Sequence, residues 1–158
     1  MLPFRRIFHP TDFSAADSAA FAHAVKLTCL VQGELTMMHV DPAIGSQDFE
    51  DSPRIRPLLA RWGILPGGSS KEDVAKLGIQ IKRVRAVADN ATGAILRQLT
   101  AQPTELLVLS THQREGFARL THHAVAEPLA RGTHTRTLFV PAGVEGFVSA
   151  ETGSTNLT

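Results

Sequence analysis

Apolar residues alternate along this chain between two periods. Ile7-Phe8 lies in a short apolar run that follows Arg5 and Arg6 and closes at Pro10, which has no amide to give a ladder, so a strand is predicted over Arg5–His9. The period then changes: Ala20, Ala24, Leu27 and Val31 recur at three- and four-residue spacing and predict a helix. Ser14 and Asp17 stand at its start with capping-box-like spacing, and Gly33 just past its end suits a left-handed C-terminal cap. Leu35–Val40 is the second predicted strand.

Between Asp41 and Gly68, Pro42, Pro53, Pro57 and Pro66 interrupt regular structure, leaving loops and a short helix around Pro57–Trp62. Trp62, with Leu58, Leu59, Ile64 and Leu65, reads as a packing cluster over the sheet. Ser69 and Ser70 before Glu72 and Asp73 signal another helix start, which Gly78 ends. The alternation Ile79, Ile81, Val84 predicts a third strand over Ile79–Val87. Asn90 can cap a helix carrying Ile95, Leu96 and Leu99, and Pro103 introduces a fourth strand in Leu106–Leu109. Pro128 is disfavoured deep inside a helix, so the last helix is expected to begin near His122–Val125 and to close at Gly132 before a final strand at Leu138-Phe139-Val140. Strands alternating with helices imply right-handed crossovers. The expected fold is therefore α/β: an open, mostly parallel, twisted five-stranded sheet with helices on both faces.

Composition narrows the picture. The chain has 158 residues, 43% of them hydrophobic and 20% charged, enough for a single buried core, so one domain over 1–142 is expected, followed by a flexible tail or connector over 143–158. The 16 basic and 15 acidic residues form no long run of one sign, which argues against nucleic acid or an anionic membrane as partners. With no secretory apolar core at the N-terminus and no apolar stretch long enough to span a bilayer, a cytoplasmic location is expected. The single cysteine, Cys29, falls on a helix face near Phe21, Ala22 and Val25 and reads as a small packed hydrophobe. No Gly-x-Ser-x-Gly elbow or second acid/base pair stands out, so the chain is not expected to be an enzyme.

Several segments, taken in order, resemble the universal stress protein family. They are Ile7-Phe8-His9-Pro10-Thr11-Asp12-Phe13-Ser14, Met38-His39-Val40, Asn90-Ala91-Thr92-Gly93-Ala94-Ile95-Leu96, Val125-Ala126-Glu127 and Leu138-Phe139-Val140-Pro141. The resemblance implies a Rossmann-like fold of the adenine nucleotide alpha hydrolase type and homodimerisation through Thr137–Val140; the tail also resembles the connector of tandem members, so pairing with a second copy in a longer chain is the alternative. ATP-binding members of the family carry Gly-x-x-Gly, nine residues, Gly, then Ser or Thr. Those positions fall here on Ser110, Gln113, His123 and Ala124, none of which matches.

Asp12 and Val40 do match the positions that hold ribose and adenine in those relatives. Read from the residues alone, Asp12 stabilises the first turn and Val40 packs in the sheet. No cofactor is expected on this reading. The alternative is ATP or AMP held by Asp12 and Val40 with unconventional phosphate contacts from Ser110, His112 or Arg114. His9, His39 and His112 fall near strand ends, but their spacing is not a metal signature and structural roles are expected for them. His122 and His123, at a helix start, offer a weaker anion site.

Overall fold

The computed structural model describes residues 4–12, 17–41, 54–111, 129, 132–142 and 146–155. Its strands are β1 (Arg6–Pro10), β2 (Glu34–Asp41), β3 (Gln80–Val87), β4 (Leu106–Thr111) and β5 (Arg136–Pro141), and its helices are α1 (Ser18–Val31), α2 (Ile55–Arg61), α3 (Lys71–Lys76) and α4 (Ala91–Ala101). The strands form one five-stranded sheet in the order β3-β2-β1-β4-β5, every pairing parallel.

Period-two alternation divides the core into two layers. Ile7, Leu35, Met37 and Val108 face one side, where Phe21 and Val25 of α1, Leu58 and Leu59 of α2 and Val74 of α3 cover them. Phe8, Met38, Leu107 and Leu109 face the other, covered by Ala94, Ile95 and Leu99 of α4 together with Leu129. Each fully buried Leu, Ile or Val contributes roughly 1.5–3 kcal/mol, so this alternation is the main source of stability. Both faces of the sheet are covered, as parallel sheets require.

The local signals for α3 and α4 act as expected. Ser70 accepts from the amide of Asp73 at 3.2 Å while the Asp73 carboxylate accepts from the Ser70 amide at 2.9 Å, a reciprocal capping box. Asn90 accepts from the amide of Gly93 at 3.1 Å. The two ends of α1 differ from expectation. Its N-cap is Asp17, whose side chain makes no capping bond because it is directed at His9, and Ser14 lies outside the described residues. The left-handed residue at its C-terminus is Gln32, with φ 48°, not Gly33. Gly33 answers a different demand: a Cβ there would lie 2.1 Å from the Arg5 carbonyl oxygen, which also accepts from the Glu34 amide at 2.7 Å.

Leu129 and Gly132 are helical, and the rest of the expected last helix, including His122–Val125, lies outside the described residues. No described helix is long and apolar enough to cross a membrane. Cys29 is half-buried beside the α1 layer, and burial pushes its thiol pKa up against a smaller opposing effect of Lys26.

Residues 146–155, within the stretch expected as a flexible tail or connector, turn back on the domain. Val148 and Thr155 form an antiparallel bridge, Val148 is buried, and Trp62 donates its indole N–H to the Ala150 carbonyl at 2.9 Å. His23 fixes the near end. Its Nδ1–H donates to the Ala19 carbonyl at 2.6 Å, Nε2 accepts from the Val148 amide at 3.2 Å, and the Phe147 ring meets it edge-on at 4.5 Å.

Accepting at Nε2 requires the neutral ring. Burial lowers the His23 pKa, outweighing the opposing bond to Ala19. With a folded pKa below the ordinary value of about 6.5, the stability contributed by His23 is present above that value and lost as pH falls through the folded pKa. Acidification is therefore expected to loosen residues 146–155 before the sheet. The emission of Trp62, the single tryptophan, should red-shift on titration below about pH 6.5 while far-ultraviolet circular dichroism holds, and His23→Gln should remove the transition. Emission that stays flat on acidification would refute this role of His23.

Candidate functional site

The sheet order places the reversal of winding at β1 and β4: β2 and β3 extend to one side, β5 to the other. In an open parallel sheet the carboxyl ends of the strands part at such a point and leave a crevice. Pro10-Thr11-Asp12 leaves β1 on one side of it, Leu109-Ser110-Thr111 ends β4 on the other, and His39-Val40-Asp41 ends the neighbouring β2.

Two buried histidines hold these strand ends together. The His9 ring is fully buried; its Nδ1–H donates to the Val108 carbonyl at 2.9 Å, tying β1 to β4, and its Nε2 lies 3.4 Å from the Asp17 carboxylate at the start of α1. With Nδ1 protonated, a neutral ring would turn the Nε2 lone pair toward a carboxylate. Burial by itself pushes the His9 pKa down, but Asp17, helped by the Val108 bond and more weakly by Asp12, outweighs it and raises the pKa above the ordinary value. When protonated, His9 forms a buried ion pair with Asp17 at the base of the crevice.

His39 does the same for β1 and β2. Its Nδ1 is 2.8 Å from the Thr11 carbonyl and its Nε2 is 2.8 Å from Oδ1 of Asp41, so both nitrogens face acceptors. The other Asp41 oxygen accepts from Nε of Arg85, the residue in register with His39 on β3. Burial would raise the Asp41 pKa; Arg85 and His39 together hold it below the usual carboxylate range. The row Thr11–His39–Asp41–Arg85 thus locks three strand ends. The i, i+2 spacing of His39 and Asp41 carries the signal for it, since that spacing puts both side chains on one face of a strand; sequence reading placed Asp41 at the start of a loop.

Among the sequence-derived site residues, Asp12 and Ser110 sit part-exposed on the two sides of the reversal. Val40 is part-buried and packs into the α4 layer. His112, Gln113, His123 and Ala124 lie outside the described residues, as do Arg114 and His122. His39 spends both ring nitrogens and His9 its Nδ1 on hydrogen-bond partners, His9 Nε2 faces Asp17 at 3.4 Å without a hydrogen bond, and the described residues hold no group of three His, Cys, Asp or Glu side chains arranged to bind a metal. Among the described residues, Thr11 and Asp12 after β1 and Ser110 and Thr111 at the end of β4 bring hydroxyl, carboxylate and backbone groups to the reversal, the kinds of donor and acceptor that suit a polar small molecule.

An open, all-parallel sheet in this order, with helices on both faces and a crevice at the reversal, defines a Rossmann-like α/β domain. The chain matches the universal stress protein family over residues 3–141, and it belongs to that family. Solved structures agree on the fold. A universal stress protein in complex with cAMP is 16% identical, with 88% of this chain and 98% of that one covered and a TM-score of 0.57. Universal stress protein UspA from Lactobacillus plantarum is 16% identical, with 89% and 99% covered and a TM-score of 0.55. The universal stress protein from Archaeoglobus fulgidus in complex with dAMP is 14% identical, with 87% and 98% covered and a TM-score of 0.50. No curated protein sequence matches the chain.

Proposed function

We propose that this chain is a cytoplasmic, non-catalytic stress-response domain that works by pairing through β5, its ATP-binding motif having degenerated. The observation that carries the reading is the place of β5 at the end of the sheet: β4 pairs with one side of it, no described strand takes the other, and Phe139 is 45% exposed. An outer edge of this kind presents backbone donors and acceptors that a twofold mate, or the second copy in a tandem chain, can complete. The residues at the four phosphate-motif positions, Ser110, Gln113, His123 and Ala124, support loss of the phosphate cradle.

Sedimentation velocity over a range of protein concentrations tests the pairing. The expected result is a dimer, which Phe139→Glu weakens at least about tenfold by setting charge against charge across the twofold axis. A monomer at the highest concentrations would sink the proposal.

The second reading is an adenine-nucleotide sensor. It is favoured by the cAMP and dAMP complexes of the two related structures and by Asp12 and Ser110 on the two sides of the crevice. Calorimetry with ATP, AMP and cAMP, with and without magnesium, on protein stripped of carried-over nucleotide separates the two. No binding up to millimolar ligand is expected on the first reading; micromolar ATP binding would make the sensor primary.

A further inference from the structure

Strand β3 carries a second constellation, separated from the crevice by β2. Ile79, just ahead of β3, and then Ile81, Arg83 and Arg85 share the face turned to α2 and α3, so the strand is apolar where it enters that layer and cationic where it leaves. A groove of about 1590 Å³ runs between β3, α2 and α3, and Arg54, Arg56, Lys71, Arg83 and Arg85 line it. Those are five of the 16 basic residues of the chain, and no Asp or Glu among the described residues lines the same groove. Asp41 answers Arg85, and Arg56 donates to the Ser69 carbonyl at 3.1 Å. Arg83 is held below the ordinary guanidinium range, by burial first and then by the like charges of Arg56 and Arg54. Five cationic side chains lining one groove make its potential positive, which favours an anion there.

We infer that this groove binds a small, multiply phosphorylated anion. Guanidinium groups pair with phosphate oxygens through two parallel N–H bonds, so several of them around one groove select for more than one phosphate. The rim is open enough for close approach, since a Cβ on Gly67 or Gly68 would meet nothing within 4 Å. A nucleic acid would instead need cations tracked along a surface, and this chain, with a net charge of +1, gathers them in one place. The site involves neither Asp12 nor Ser110, so it stands or falls apart from the nucleotide reading of the crevice.

Calorimetry of the full chain at low ionic strength, with inorganic triphosphate and then orthophosphate as probes, tests it. Triphosphate is expected to bind at least about tenfold more tightly than orthophosphate and to weaken as salt is added. Arg54→Gln with Arg83→Gln should lower the triphosphate affinity at least about tenfold, and Lys71→Gln alone by less. Arg136→Gln, on the opposite edge of the sheet, and Asp12→Asn should leave it unchanged. All these positions except Asp12 are exposed, and matching thermal melts establish that the variants fold. No triphosphate heat at millimolar ligand would overturn the inference. So would affinity unmoved by the double substitution, or affinity changed by Asp12→Asn in its place.

Discussion

Gly33→Ala is expected to lower the melting temperature by about 6–12 °C, the shift that about 3 kcal/mol of overpacking gives in a chain of this length. The added methyl would lie 2.1 Å from the Arg5 carbonyl oxygen and 2.9 Å from Cγ2 of Val31. Neither can give way cheaply. The carbonyl belongs to the backbone entering β1 and accepts the Glu34 amide, the bond that starts the β1–β2 register at Arg6 and Glu34, and Val31 is buried in the last turn of α1. Where the backbone allows it, replacing glycine by alanine stabilises by about 0.4–1 kcal/mol through the unfolded chain, so the sign itself is diagnostic. Gly67→Ala serves as the control, because a Cβ there meets nothing and thermal stability should hold or rise slightly. A Gly33→Ala protein that melts with the wild type would mean that β1 and β2 tolerate a shift at the point where their register begins.

Gly33 also shows where sequence reading meets its limit. A glycine after an amphipathic helix signals a chain reversal, and one occurs there, but the left-handed residue is Gln32 and the glycine is required by a strand that precedes the helix. Local signals fared better. Ser70 with Asp73 and Asn90 with Gly93 act within four residues, and the alternation of Ile7 with Phe8 or Met37 with Met38 reports directly which face each side chain takes. Contacts set by tertiary approach left no local trace. Arg83 and Arg85 share a face by period two, but nothing in the spacing says that Arg54 and Arg56 will meet them across a groove. The packing of 146–155 rests on single residues, among them Phe147 against His23 and Ala150 against Trp62, and such isolated contacts have no period to detect. Val40 closes a strand predicted from the sequence and Asp12 and Ser110 fall in the turns that follow predicted strands, whereas the partners of His9 and His39 emerge only once the strands lie side by side.

The His9–Asp17 pair leads to the other large effect. Asp17→Asn removes the negative member of a buried ion pair and is expected to cost about 3 kcal/mol, at the lower end for a broken buried pair because the amide oxygen can still accept. The pH dependence separates this from a packing defect. In the wild type the folded pKa of His9 lies above its unfolded value of about 6.5, so its contribution is fully present below that pH and is lost as pH rises through the folded pKa. Without Asp17, burial dominates and the folded pKa drops below the unfolded one; the contribution is then present above about pH 6.5 and lost as pH falls. The stability gap between the two proteins should therefore be widest in mild acid and narrow toward alkaline pH. His23 titrates in both and cancels in the difference. Urea denaturation of the two proteins at a series of pH values measures that gap. A gap constant with pH would mean that His9 stays neutral in the native protein, and that the β1–β4 junction beneath the crevice is held by the Val108 hydrogen bond and packing alone.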